Sequence, residues 1–188
     1  MQTNIGRRDA LRWAGAAALA TVGAGVAHPA SAFGLDIWEP RRAFLHNLHT
    51  GEKFTEVYFA NGSYIPGAMA SAMKVLRDWR NGAQHFMDPK LFDALHAIQL
   101  RLDTREPFQI ISGYRSPATN AKLAARSGQV AEHSQHTQGK AVDVRIQGVD
   151  LRNVKKAALD VSAGGVGFYP QSNFVHVDTG RVRQWSGS

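Results

Sequence analysis

An α+β domain, an antiparallel β-sheet packed with helices, is the fold this sequence predicts. Two observations predict it. Segments with apolar residues at helical spacing are interspersed with short strand-like runs, and there is no internal repeat or low-complexity tract. A length of 188 residues with 44% hydrophobic composition suits one core, and nothing suggests a second of comparable size.

The first segment stands apart from that core. Arg7-Arg8 precedes an apolar, Ala/Gly-rich stretch from Trp13 to Ala27, and Ala30-Ser31-Ala32 follows as an A-x-A cleavage pattern. The stretch is shorter than the roughly 20 residues of a spanning helix and is diluted with glycine. Residues 1–32 therefore read as a cleaved signal peptide, and residues 33–188 as a single mature domain without a membrane span. The paired arginines resemble a twin-arginine signal, which implies the twin-arginine export machinery as a partner and a periplasmic address in a Gram-negative bacterium.

Three Arg and one Asp leave with that segment, so the formal charge falls from +7 to +5 and the mature chain stays basic. A basic surface favours anionic polymers, with both nucleic acid and cell wall qualifying on charge. Export, and the lack of any block of about five Lys/Arg, argue against nucleic acid. No cysteine is present, so disulfides contribute nothing and any metal site must use His, Asp, Glu or water.

Along the mature chain, residues 43–48 and 54–60 read as two strands of a hairpin, followed by an Asn61-Gly62 turn. From Gly67 to Arg80, Met69, Met73, Leu76 and Trp79 recur at helical spacing, more naturally as core than as a cofactor box. Asp88-Pro89 caps a second helix with Leu91, Leu95, Ile98 and Leu102 on one face. Phe108 to Ile111 forms a strand that delivers Ser112-Gly113-Tyr114-Arg115, and Ser116-Pro117 opens a short helix toward Arg126. After a polar loop, Ala141 to Ile146 alternates, with Val142, Val144 and Ile146 on one face and Asp143 and Arg145 on the other. Asp150 caps a helix through Val161 that should end at Gly164-Gly165. Residues 166–168, 174–178 and 182–185 read as short strands joined by tight turns.

Two histidines and a carboxylate stand out within this layout. His136 lies in the loop feeding a strand, Asp143 projects from that strand opposite its valines, and His176 shares a strand face with Phe174 and Asp178. Such a trio fills three tetrahedral positions of a catalytic zinc and leaves the fourth for water, which makes amide hydrolysis accessible without a covalent nucleophile. A salt-bridged strand carboxylate at Asp143 and a packed strand histidine at His176 are the alternatives.

The segment Ser134-Gln135-His136-Thr137-Gln138-Gly139-Lys140-Ala141-Val142-Asp143 resembles the metal motif of the zinc peptidases that include D-alanyl-D-alanine carboxypeptidases and dipeptidases. Ser112 to Ser116, residues 174–180, Asn47 to Glu52, Gly164 to Gly167 and the closing Trp185 resemble its exported, murein endopeptidase K type branch, so the likeness extends over nearly the whole chain. The resemblance implies a fold like that of the hedgehog and D-Ala-D-Ala peptidases. It also implies one Zn²⁺ per chain held by His136, Asp143 and His176, and peptidoglycan peptides as substrate.

By the same resemblance Arg115 holds the scissile carbonyl or a substrate carboxylate, with a structural arginine capping the next turn as the alternative. The sequence departs from the carboxypeptidase pattern three positions before His176, where Asn173 replaces the acidic general base. Asp178 is the leading replacement, either moving a proton at the metal, holding a ligand imidazole, or simply bonding the amides of the Thr179-Gly180 turn. His133 is the next. If neither serves, the chain is an inactive zinc-containing wall-binding module. Endopeptidase and carboxypeptidase preference are not separable from sequence.

Overall fold

The structure is a computed structural model, and it describes residues 33–127, 131 and 133–187. The expected signal segment, residues 1–32, lies outside them. Among the described residues ten strands form two sheets. A small one has the order β1-β4-β5, and a larger one the order β10-β8-β9-β7-β6-β2-β3.

The first strands are β1 (Arg41–Arg42), β2 (Leu45–Asn47), β3 (Lys53–Phe54), β4 (Val57–Ala60) and β5 (Ser63–Tyr64). The expected hairpin forms, with Leu45 opposite Phe54. The second run nonetheless divides: β3 stays with β2, while β4 leaves for the small sheet and pairs with β1 and β5. Asn61 and Gly62 both take positive φ between β4 and β5, the conformation a two-residue hairpin turn requires. Buried Arg41 and the Tyr58 and Tyr64 hydroxyls converge on Asp93 and tie the small sheet to helix α2 (Pro89–Arg101).

Helix α1 (Pro66–Val75) is shorter than expected. The carbonyls that would continue it are claimed elsewhere: Val75 O accepts from Asn47 Nδ2 at 2.8 Å and Leu76 O from Tyr114 N at 2.7 Å. Trp79 therefore lies beyond the helix, 36% exposed and stacked on His49 instead of sitting in the core. Helix α2 begins where predicted, with the Asp88 side chain accepting from Lys90 N, and buries Leu91, Leu95 and Ile98.

The remaining elements are β6 (Phe108–Ser112), α3 (Pro117–Ser127), a 3₁₀ turn (Gln135–Gln138), β7 (Ala141–Ile146), α4 (Leu151–Val161), β8 (Gly165–Tyr169), β9 (Phe174–Asp178) and β10 (Arg183–Ser186). Helix α4 ends on Ser162 in the left-handed conformation, earlier than expected, and Gly165 starts β8. The large sheet is not wholly antiparallel, because β2 pairs parallel with β6 and β10 parallel with β8. Its centre, β6-β7-β9-β8, is antiparallel as predicted. One apolar cluster runs from Ala43 to Val177 and includes Val142, Val144 and Ile146, so β7 buries its valine face and turns Asp143 to the other side. No helix among the described residues is long and apolar enough to cross a membrane.

Candidate metal centre

The opposite face of the large sheet carries the polar trio. Asp143 on β7 and His176 on β9 are direct cross-strand partners, and His176 Nδ1 lies 2.9 Å from Asp143 Oδ1. The 3₁₀ turn brings in His136, whose Nε2 is 3.2 Å from both Asp143 Oδ1 and His176 Nδ1. The three ligand-type atoms are mutually close enough to share one ion, and all three residues are buried.

Ser134, Thr137 and Gly139 present that turn. The Ser134 hydroxyl caps it by accepting from His136 N, and Thr137 donates to Ser134 O. Gly139 closes it at φ 68°, where a Cβ would stand 2.1 Å from Phe86 O. Gly113 has a similar reason to be glycine, because its Cβ would lie 2.3 Å from Leu76 O. That close approach positions the Gly113 carbonyl 2.8 Å from His136 Nδ1.

These outer contacts set the tautomers. A carbonyl can only accept, so His136 Nδ1 carries the hydrogen and Nε2 presents its lone pair inward. His176 Nε2 faces the Asp178 carboxylate at 3.1 Å, so Nε2 carries the hydrogen and Nδ1 faces inward. Two nitrogen lone pairs and a carboxylate oxygen then point at one another, an arrangement that requires a positive charge between them. The residues thus fit a metal ion of zinc type. The electrostatics show the same demand for positive charge. Burial pushes His136 down, keeping it neutral, whereas His176, although burial opposes it, is pushed up to about 9 by Asp143 and Asp178, so that a proton on its Nδ1 answers Asp143 and a bound cation would displace that proton. Asp143 is held well below the carboxylate range by the two imidazoles, against the desolvation that would raise it.

Asp178 sits behind His176, not beside the trio. It is fully buried and does not line the cleft. It accepts from Gly165 N, Gly180 N, both Arg183 terminal nitrogens and His176 Nε2, and these bonds overcome burial and hold it deprotonated. Of the roles expected for it, the geometry matches holding the imidazole and bonding the turn amide, and gives it no path to substrate.

A cleft of about 410 Å³ opens over the trio, and Arg115, His133, Tyr169, Arg183 and Trp185 are among its lining residues. Arg115 follows β6 and is buried. Its N–H donates to His136 O, and its guanidinium reaches Asn120 Oδ1 at 3.3 Å and Ser112 Oγ at 3.5 Å, with Asp143 Oδ2 3.7 Å away. Its Nε is buried without a partner. These long contacts leave the fork available to an acceptor in the cleft. His133 is exposed on the rim of the cleft. Asn173 is also exposed but does not line the cleft, and its φ of 55° shows what it does: it takes the left-handed position of the β8–β9 turn, which asparagine tolerates. Tyr114 packs, stacked on His85.

Sequence reasoning missed Tyr169 and Arg183. Their signal was the alternation Gly165, Gly167, Tyr169 on one face of a strand, since glycine inside a strand marks the close passage of another group. Here the groups are Arg183 over Gly165 and Trp185 over Gly167.

A sequence profile of the family described as peptidoglycan L,D-endopeptidase MepK matches residues 36–185. The chain belongs to this family. The MepK of Escherichia coli strain K12 is 50% identical over 146 residues, covering 78% of this chain and 80% of that protein. The probable MepK of Haemophilus influenzae is 42% identical over 150 residues, covering 79% and 81%. The matched span contains His136, Asp143 and His176, together with Arg115, Tyr169 and Trp185.

Proposed function

We propose that this chain is a zinc-dependent peptidoglycan endopeptidase, exported to the periplasm, that hydrolyses a peptide bond between an L- and a D-configured centre in cross-linked stem peptides. The observation that carries the reading is the convergence of His136 Nε2, Asp143 Oδ1 and His176 Nδ1 under an open cleft, in a chain of the MepK family.

One zinc ion held by those three atoms would supply Lewis acidity toward a peptide carbonyl and activation of water. The protein's own groups do the rest. The Gly113 carbonyl and Asp178 keep both imidazoles in the ligating tautomer. Arg115 offers its planar fork to the scissile carbonyl, where negative charge develops, or to a neighbouring carboxylate. His133, the imidazole on the rim outside the trio, takes the proton from the attacking water and returns it to the departing amine. Asp178, buried behind His176 with five contacts and absent from the cleft lining, supports the ligand and is not assigned that transfer.

Export rests on the sequence of residues 1–32, whose Arg7-Arg8 pair and Ala30-Ser31-Ala32 site fit a twin-arginine signal. The charge of +5 left after its removal suits an anionic wall polymer.

The test is digestion of defined cross-linked muropeptides by the zinc-loaded protein, analysed by mass spectrometry, with a chelated control and zinc re-addition. Release of the uncross-linked peptides, lost on chelation and restored by zinc, is expected. Intact cross-links with retained binding would make the chain a wall-binding module instead.

A further inference from the structure

Beyond the metal trio and Arg115, the cleft contains a polar group with an unusual orientation. Trp185 Nε1 donates to the Tyr169 hydroxyl oxygen at 2.8 Å. An indole N–H can only donate, so Tyr169 accepts and its own hydrogen must point away from Trp185. No acceptor for that hydrogen is found among the described residues, and both side chains line the cleft.

The surroundings hold this pair rigidly. Tyr169 stacks on its cross-strand partner Phe174, with centroids 4.5 Å apart, and Trp185 lies 5.2 Å from the His176 ring. Glycines make room for both rings. A Cβ on Gly167 would stand 2.6 Å from the Trp185 ring, and one on Gly187 2.3 Å from the Tyr169 ring. The parallel strand β10 places Trp185 opposite Gly167, so the C-terminal strand delivers the indole to this spot. In the sheet order, Tyr169 ends β8 and Arg115 follows β6, so the two strands flank the β7–β9 pair that carries Asp143 and His176.

We propose that Tyr169 is a substrate-binding residue whose hydroxyl donates to a carbonyl or carboxylate oxygen of the peptide on the side of the metal site away from Arg115, with Trp185 as its positioning residue. This rests on the endopeptidase reading above. A peptide lying across the trio is then gripped on both sides, by the guanidinium at one end and the phenol at the other. A donor fixed in advance contributes affinity because little orientational freedom is lost on binding.

The experiment compares wild type, Tyr169→Phe, Trp185→Phe and the double variant, all zinc-loaded, on a defined cross-linked muropeptide, and measures muropeptide binding to the zinc-stripped proteins. Tyr169→Phe keeps the ring stacked on Phe174 and loses the hydroxyl, both as donor to the substrate and as acceptor of the Trp185 indole N–H. Its KM and its dissociation constant should both rise about tenfold, while kcat stays within about threefold and zinc content is unchanged. Trp185→Phe frees the hydroxyl to rotate and should show part of that rise, with no further rise when added to Tyr169→Phe. A Tyr169→Phe protein that binds and cleaves like an active wild type overturns this inference alone. So does a Trp185→Phe effect that persists undiminished in the double variant. A wild type that neither binds nor cleaves overturns the endopeptidase reading, and this inference with it.

Discussion

His176 Nε2 lies 3.1 Å from Asp178 Oδ2, two residues further along the same strand, and this contact separates holding the metal site from acting within it. Asp178 has spent its acceptor capacity on Gly165, Gly180, Arg183 and His176. Asp178→Asn should therefore weaken zinc affinity about 10- to 100-fold while turnover recovers at saturating zinc. Activity measured across a chelator-buffered zinc series checks this. A turnover deficit that persists at saturating zinc would return Asp178 to proton transfer.

The alternating pattern of β9 correctly placed Asp178 on the face of His176, but the expectation that its carboxylate points toward the metal does not hold. Register decides the direction. His176 pairs with Asp143, whereas Asp178 pairs with Ala141, two positions along the ladder, where it meets the far nitrogen of the imidazole. Pairing between strands distant in sequence cannot be read from one strand's period. The Ser134 to Asp143 segment was legible through its resemblance to a known metal motif, and the structure shows why such a motif is short: cap, ligand, left-handed glycine and strand carboxylate are all local. Helices α2 and α4 were legible at their starts for the same reason, through Asp88 and Asp150. The end of α1 was not, since its last carbonyls are claimed by Asn47 and Tyr114 from other elements.

His133 is the remaining imidazole of the cleft lining outside the trio. His133→Gln should lower kcat by roughly 100-fold with zinc retained and the fold unchanged, the magnitude expected for loss of a general base or acid. Steady-state kinetics with metal analysis on the same preparation checks it.

Arg115→Lys keeps the charge and loses the fork. Catalytic efficiency should fall at least about tenfold, with zinc content unaltered. Unchanged kinetics would leave Arg115 as a structural support for the His136 turn, to which its N–H already donates.

Behind Arg115, buried Asp78 accepts from Ser116 N at 3.0 Å, Ser116 Oγ at 2.8 Å and Arg80 N at 3.2 Å. Burial would raise its pKa, but hydrogen bonds from Thr119, Ser116 and Arg80 lower it below the ordinary 3.8. A depressed folded-state pKa means a contribution to stability that is present above the unfolded-state value and lost as pH falls through the folded-state value. Asp78→Asn should cost about 2 kcal/mol near neutral pH, and less as the solution is acidified below the usual carboxylate range. Denaturant melts of both proteins across that pH range check the prediction.

The central claim is that His136, Asp143 and His176 together hold one zinc ion, and zinc stoichiometry of the purified, folded His176→Ala protein beside wild type tests it most directly. The account predicts about one zinc per wild-type chain and essentially none in the variant, with circular dichroism unchanged, because a site of three protein ligands does not readily survive the loss of one. A folded His176→Ala protein that retains a full equivalent of zinc would contradict it.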